Sequence, residues 1–375
     1  MAGIYIHIPF CKKKCAYCNF FSLASAGLMK GFIQAMLAEV VLTADYLGGE
    51  TVDTIYFGGG TPSIIEPSDV AQILDKIRIA HAVADDAEIT IEANPDDVTI
   101  DKLRAWKASG INRFSLGVQS FNDEDLLWLG RTHNAAQSIS AVNLIKASGF
   151  DNVSIDLIYG IPGQDETRWM KNIETAVTID VPHISAYSLT VEDGTILHNF
   201  IGKGRAEMPD DALSERHFTR ITETLESNGF LHYEISNFCR EGMFSRHNSA
   251  YWQGVKYLGL GPSAHSFNGS TRQWNVSSVS KYLKAIAAGT PDFEMETLSP
   301  EQKYNEYVMV SLRTMWGCDL KYIENNFGKA LLLHLISEAE PFIRTEEIFS
   351  QNDILYLSNK GKLFADRIAS SLFTG

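Results

Sequence analysis

Basic residues are scarce. Across 375 residues 32 Lys and Arg face 46 Asp and Glu, and the formal charge of −14 opposes general attraction to a polyphosphate, so nucleic acid is not an expected partner. Apolar runs such as Leu331-Leu332-Leu333 are far shorter than the roughly 20 residues that a bilayer-spanning helix needs. The start, Met1-Ala-Gly-Ile-Tyr-Ile-His-Ile, carries neither a basic leader nor a cleavage site, so secretion and organelle import are not indicated and a cytoplasmic protein is expected. Cysteines number five, and Cys239 and Cys318 lie far from the other three, which argues against a disulfide framework. What remains is ordinary globular material: 45% of residues are hydrophobic, enough for a substantial core and two or three domains.

The remaining cysteines crowd into Cys11-Lys-Lys-Lys-Cys15-Ala-Tyr-Cys18. Three thiolates folded toward one point make an incomplete cage for an iron–sulfur cluster, which ordinarily takes four sulfurs. One iron would stay open, free to bind a small molecule and pass it an electron. The competing reading is a Cys3His zinc site completed by His7, although structural zinc loops usually draw their ligands from two separated knuckles. The C-x3-C-x2-C spacing with an aromatic residue before its last cysteine resembles the signature of the radical S-adenosylmethionine (SAM) superfamily. That resemblance implies a [4Fe–4S] cluster on Cys11, Cys15 and Cys18, with SAM chelated at the open iron.

Up to about residue 190, short β-branched runs alternate with amphipathic segments, the rhythm of a parallel sheet wrapped by helices. Strands are expected at 4–8, 54–57, 88–92, 113–118, 153–158 and 183–189, and helices at 32–46, 68–80, 100–109, 135–148 and 167–178. An open (β/α)6 barrel, a closed (β/α)8 barrel and a doubly wound sheet all fit this pattern, and all place a site at the carboxyl ends of the strands. The cysteine loop follows the first strand. The second ends in Gly58-Gly59-Gly60-Thr61-Pro62, where a ligand can approach bare backbone. No Gly-Lys-Ser/Thr follows to support a phosphate loop. Glu92, Gln119 and Asp156 sit at or near strand ends, where a carboxylate needs a partner: a ribose hydroxyl, an amine, Arg131, or a merely structural bridge.

Beyond residue 190 the pattern loosens into irregular connections, with one helix at 213–227. A second glycine-rich segment, from Tyr257 to His265, is expected under the barrel mouth. Before it, His247, Tyr251 and Trp252 could line a haem-sized pocket, with imidazole as the axial ligand, or could simply be a hydrogen-bonded histidine among aromatics. The domains divide as a core barrel over residues 1–230, an extension over 231–298 and a small module over 299–375. In the last, helices at 301–315, 320–327 and 329–338, short strands at 342–344 and 354–357 and a helix from Lys360 suggest a winged helix. Its 8 Lys and Arg against 10 Asp and Glu lack the basic footprint of DNA binding, which leaves a docking or covering role.

Taken together, Tyr-Ile-His-Ile-Pro-Phe-Cys, Tyr-Phe-Gly-Gly-Gly-Thr-Pro and Asp-Leu-Ile-Tyr-Gly-Ile-Pro-Gly-Gln resemble the oxygen-independent coproporphyrinogen III oxidase family almost from end to end. The family implies a partial (β/α)6 TIM-like barrel with a winged-helix-like end. It contains true oxidases, which decarboxylate porphyrinogen propionates, and HemW-type haem chaperones. Phe20 stands where oxidases carry a further cysteine, only ten residues precede Cys11, and His247-Asn248-x-x-Tyr251-Trp252 is similar to the chaperones' HNxxYW motif; all three favour that branch. The resemblance places Gly59, Gly60 and Thr61 around SAM's methionine part, and Tyr5, Tyr17, Glu92, Gln119, Arg131 and Asp156 on positions that contact one or other of two SAM molecules. It implies haem or porphyrin, haem-accepting proteins, some at the membrane, and an electron donor as partners. Pairing of the chain with itself stays open.

Overall fold

Six β-branched runs form the parallel strands β1 (Ala2–Ile8), β2 (Val52–Gly59), β3 (Val83–Ala93), β4 (Arg113–Gln119), β5 (Asn152–Tyr159) and β6 (His183–Ser188) of a computed structural model that describes residues 1–23 and 26–375. They lie side by side in chain order, with no reversal, which decides for a partial barrel and against a doubly wound sheet. All six carboxyl ends therefore share one rim. Along each strand side chains alternate: Ile4, Ile6, Ile55, Phe57, Ile91, Phe114 and Leu116 pack outward with helical residues such as Phe32, Met36, Leu74 and Trp106 in one apolar core. The opposite positions carry Tyr5, Tyr56, Glu88, Glu92, Ser115 and Asp156, so alternation alone gives the barrel a polar interior.

The intervening helices follow local signals. Ile100–Ser109 begins where Thr99 accepts a hydrogen bond from the Lys102 amide and ends at Gly110, whose φ of 102° suits a residue without Cβ.

The extension is more regular than expected. It contains β7 (Leu231–Glu234), β8 (Asn237–Cys239), β9 (Lys256–Leu260), β10 (His265–Phe267), β11 (Thr271–Asn275) and β12 (Phe293–Thr297). β8 pairs antiparallel with β6, and β9 pairs parallel with β1, making a twelve-stranded sheet. The second glycine-rich segment thus opens as a strand beside β1 instead of lying beneath the mouth. Glu39 fastens it: this buried carboxylate accepts from the Gly261 amide at 2.7 Å, Asn275 Nδ2 at 2.7 Å and Tyr282 Oη at 2.7 Å.

Residues 300–372 surround a second core that includes Tyr304, Val308, Leu312, Ile323, Leu335 and Ile368. Helices Pro300–Leu312, Leu320–Phe327 and Lys329–Arg344 combine with β13 (Cys318–Asp319), β14 (Ile348–Gln351) and β15 (Ile354–Leu357) in winged-helix order. Residues 342–344, expected as a strand, are instead the last turn of the third helix, which runs through Pro341. Phe342 packs on this core, and the first wing strand starts at Ile348. The module is tied to the extension by Arg313, whose Nε lies 3.2 Å from Glu234 Oε1, and by the Met315 amide to the Tyr233 carbonyl at 2.9 Å. Among the described residues no helix is long and apolar enough to cross a membrane.

Candidate metal and cofactor centre

The loop after β1 is pinned at its base, where the Leu23 amide donates to the Pro9 carbonyl at 2.7 Å and the Cys11 amide to the Leu23 carbonyl at 3.1 Å. Cys11, Cys15 and Cys18 line one cavity, shared with Thr61, Asn94 and Arg131. Its described lining contains no fourth cysteine and no His, Asp or Glu. Burial pushes the Cys18 thiol above its usual range, and the two neighbouring thiols add to the shift; a bound cation would reverse that balance. The zinc alternative fails on His7. Its Nε2 is 3.0 Å from the Phe21 carbonyl and its Nδ1 3.2 Å from Tyr5 Oη, so neither nitrogen is spare. Three cysteines that line one cavity fit a cluster with one open iron.

The glycine run explains itself at this loop. A Cβ on Gly60 would fall 2.6 Å from the Phe10 carbonyl oxygen and 3.0 Å from Cys11 Sγ, so β2 and the cysteine loop can touch only if residue 60 is glycine. Gly59 has φ 107°, and its Cβ would meet the His7 ring at 2.8 Å. Thr61 Oγ1 reaches Cys11 Sγ at 3.5 Å.

Beside this cavity the barrel mouth opens into a space of ≈ 1240 Å³. Of the residues expected to hold SAM, Tyr17, Gly59, Gly60, Thr61, Glu92, Gln119, Arg131 and Asp156 all line it. Tyr5 does not; it faces a neighbouring cavity. Glu92 accepts from Tyr56 Oη at 2.9 Å, and burial, followed by the charge of Asp156, pushes its carboxyl up to about 8. Burial raises Asp156 to about 6, against hydrogen bonds that include Ser115. Two carboxyls that are costly to ionise suit hydrogen bonding to hydroxyls or partnership with an incoming cation. Arg131 spends Nη2 on Asn94 Oδ1 at 2.6 Å and on the Gly117 carbonyl at 2.9 Å, while Nη1 lies 3.5 Å from Cys15 Sγ. Its Nε is buried without a partner. Gln119 holds φ 67°, a conformation that costs a non-glycine residue about 1–3 kcal/mol and aims the chain across the mouth.

Sequence reasoning missed Asn94, which anchors Arg131, and Tyr187 on the opposite wall. Period-two alternation from Glu92 would have found Asn94.

The segment expected to bind haem forms the short helix Arg246–Trp252. His247 is buried inside the barrel: its Nδ1 lies 2.8 Å from Thr54 Oγ1, its Nε2 3.0 Å from Tyr251 Oη, and its ring stacks on Tyr56 at 5.0 Å. Both nitrogens are occupied, so the expected axial ligand faces no open space. Asn248 is half-buried. Tyr251 and Trp252 line a groove of ≈ 1780 Å³ against the C-terminal module.

Residues 5–176 match the Radical SAM superfamily. The chain is 33% identical over 371 residues to a protein of Bacillus subtilis (strain 168) curated as heme chaperone HemW, covering 98% of each chain. It is 35% identical over 375 residues to a protein of Mycobacterium tuberculosis bearing the same name, covering 99% of this chain and 94% of that one. Among solved structures, coproporphyrinogen III oxidase (HemN) from Escherichia coli superposes with a TM-score of 0.86 over 100% of this chain and 90% of that one; at 22% identity this likeness concerns the fold.

Proposed function

We propose, from the premise that this chain belongs to the HemW family within the radical SAM superfamily, that it binds haem next to a [4Fe–4S] cluster and SAM and delivers the haem to acceptor proteins. The observation that carries the reading is the junction of two cavities: the three-cysteine space opens beside the mouth, sharing Tyr17, Cys18, Gly60, Thr61, Asn94 and Arg131 with it.

Cys11, Cys15 and Cys18 would hold the cluster, which when bound supplies a low-potential electron. Gly59, Gly60 and Thr61 would present backbone to SAM's methionine part, and Arg131, which lines both cavities, would offer its guanidinium to the carboxylate. Glu92 and Asp156 offer hydrogen-bond capacity deeper in the mouth, and Gln119 closes its side. Tyr251 and Trp252 give a flat apolar wall for the macrocycle, with His247 holding Tyr251 in place through its Nε2.

Two measurements test this. Reduced protein is mixed under argon with coproporphyrinogen III and SAM, and protoporphyrinogen and 5′-deoxyadenosine are quantified; separately, haem is titrated and the Soret band followed. A Soret shift without porphyrinogen turnover is expected. Turnover without stable haem binding would replace the chaperone reading with that of an oxidase acting on propionates.

A further inference from the structure

Between the mouth and the groove lies a third cavity of ≈ 830 Å³, lined by Tyr5, Phe20, Phe21, Tyr251, Tyr257 and His265 among others. It has a neighbour on either side. Asn19 and Phe20 also line the mouth, and Tyr251 and Tyr257 also line the groove beside the C-terminal module, so this cavity is a trough that shares walls with both.

Three histidines bear on this trough, and they differ in what their rings are free to do. His7 is engaged at both nitrogens by Tyr5 and the Phe21 carbonyl, and His247, behind Tyr251, by Thr54 and Tyr251. His265 is exposed to the cavity, and among the described residues its ring makes no hydrogen bond. Its orientation is nonetheless fixed. It sits opposite Trp274 in the β10–β11 pair, and the two rings stack at 5.9 Å with an interplanar angle of 27°. The tight return from β9 brings it to the cavity: Gly259 has no Cβ, which would lie 2.0 Å from the His265 carbonyl oxygen, and its amide is held by Ser266 Oγ at 2.8 Å.

We propose that His265, not His247, is the axial ligand of haem iron, with the macrocycle lying in this trough against Phe20, Tyr251 and Tyr257. The assignment rests on the haem-binding reading above and deepens it. An imidazole with a spare nitrogen, beside apolar ring walls, is the arrangement that haem ligation requires. Partial burial, and after it the charge of Arg272, lower the pKa of His265 and keep the ring in the neutral, metal-binding form. His247 then acts as a positioning residue. It meets the Tyr251 ring edge-on at 84°, and Tyr251 meets Tyr257 at 90°, so one buried imidazole sets the wall of the trough.

The experiment is parallel titration of wild type, His265→Ala and His247→Ala with haemin and with metal-free protoporphyrin IX, followed by the Soret band and by porphyrin fluorescence. His265→Ala is expected to weaken haemin binding about tenfold or more, to change the Soret maximum, and to leave protoporphyrin binding and thermal stability close to wild type. Added imidazole should restore the wild-type band. His247→Ala should weaken both ligands while keeping the wild-type Soret position. A wild-type chain with no haemin-induced shift removes the haem reading and this assignment together. A wild-type shift that persists unaltered in His265→Ala, or that disappears only in His247→Ala, overturns the assignment alone.

Discussion

The lower interior of the barrel and its mouth are built from the same alternation, yet they spend their polar groups differently. Below, Glu88 accepts the amides of Arg246 at 3.2 Å and His247 at 3.1 Å, and His183 bridges Ser154 and Tyr233 at 2.7 Å each. These groups are used up in fastening the extension into the barrel. At the mouth, Arg131 keeps an unpartnered Nε, and Glu92 and Asp156 face open space with carboxyls held above their usual range. Spare capacity alone does not mark the site, since Arg113 Nε and Thr90 Oγ1 below are also buried without partners; what distinguishes the mouth is that its polar groups line an open space.

The comparison breaks most visibly at the cysteines. Replacing Cys11, Cys15 and Cys18 together with Ala should reduce acid-labile sulfide and iron after anaerobic reconstitution to background while the apo protein's urea midpoint moves little; a retained cluster would refute the assignment. Next comes the lower interior. His247→Ala leaves Thr54 and Tyr251 without their buried partner and should cost about 2–4 kcal/mol in chemical denaturation, an effect that a site-only role would not produce. Gly60→Ala should strain the contact with Phe10 and Cys11 by about 1–3 kcal/mol and appear as a lower iron-to-protein ratio with the sheet intact.

A smaller effect concerns pH. Folding raises Glu39 to about 7, Glu92 to about 8 and Asp156 to about 6. The unfolded chain releases these protons earlier, so the stability they contribute is whole below about pH 4 and is lost as pH climbs through 6 to 8. The apo protein's melting temperature should fall by several degrees over that window, and Glu92→Gln should flatten the upper part of the slope. Smallest is Lys12→Ala: this half-exposed ammonium pairs with Asp96 and Asp97 at the edge of the cysteine loop and should be worth less than about 1 kcal/mol, shrinking further in salt.

The sequence made the barrel legible because its signals are local. All six parallel strands lie where β-branched runs stand, and the helix at 100–109 is bounded by Thr99 and Gly110. Strands β9–β12 were hidden because Gly259, Gly261 and Gly269 interrupt any alternation, and because β9 finds its partner some 250 residues away, where Ala2 pairs with Lys256. At 342–344 the apolar pair after Pro341 reads as a strand until the second core claims Phe342. The mouth residues were visible as polar interruptions at strand ends. Whether His247 or His265 has a nitrogen to spare is a matter of neighbours from distant segments, which spacing does not encode.

Because β9 lies along one side of β1 and β2 along the other, the stem of the cysteine loop is an inner strand, with four strands beyond it in one direction and seven in the other. Fraying begins at sheet borders, so oxygen damage or cluster loss leaves this stem zipped on both sides. A cluster held here should therefore be removable and replaceable without refolding, and the amides of Ile4 and Ile6 should be among the last to exchange with deuterated solvent in both states.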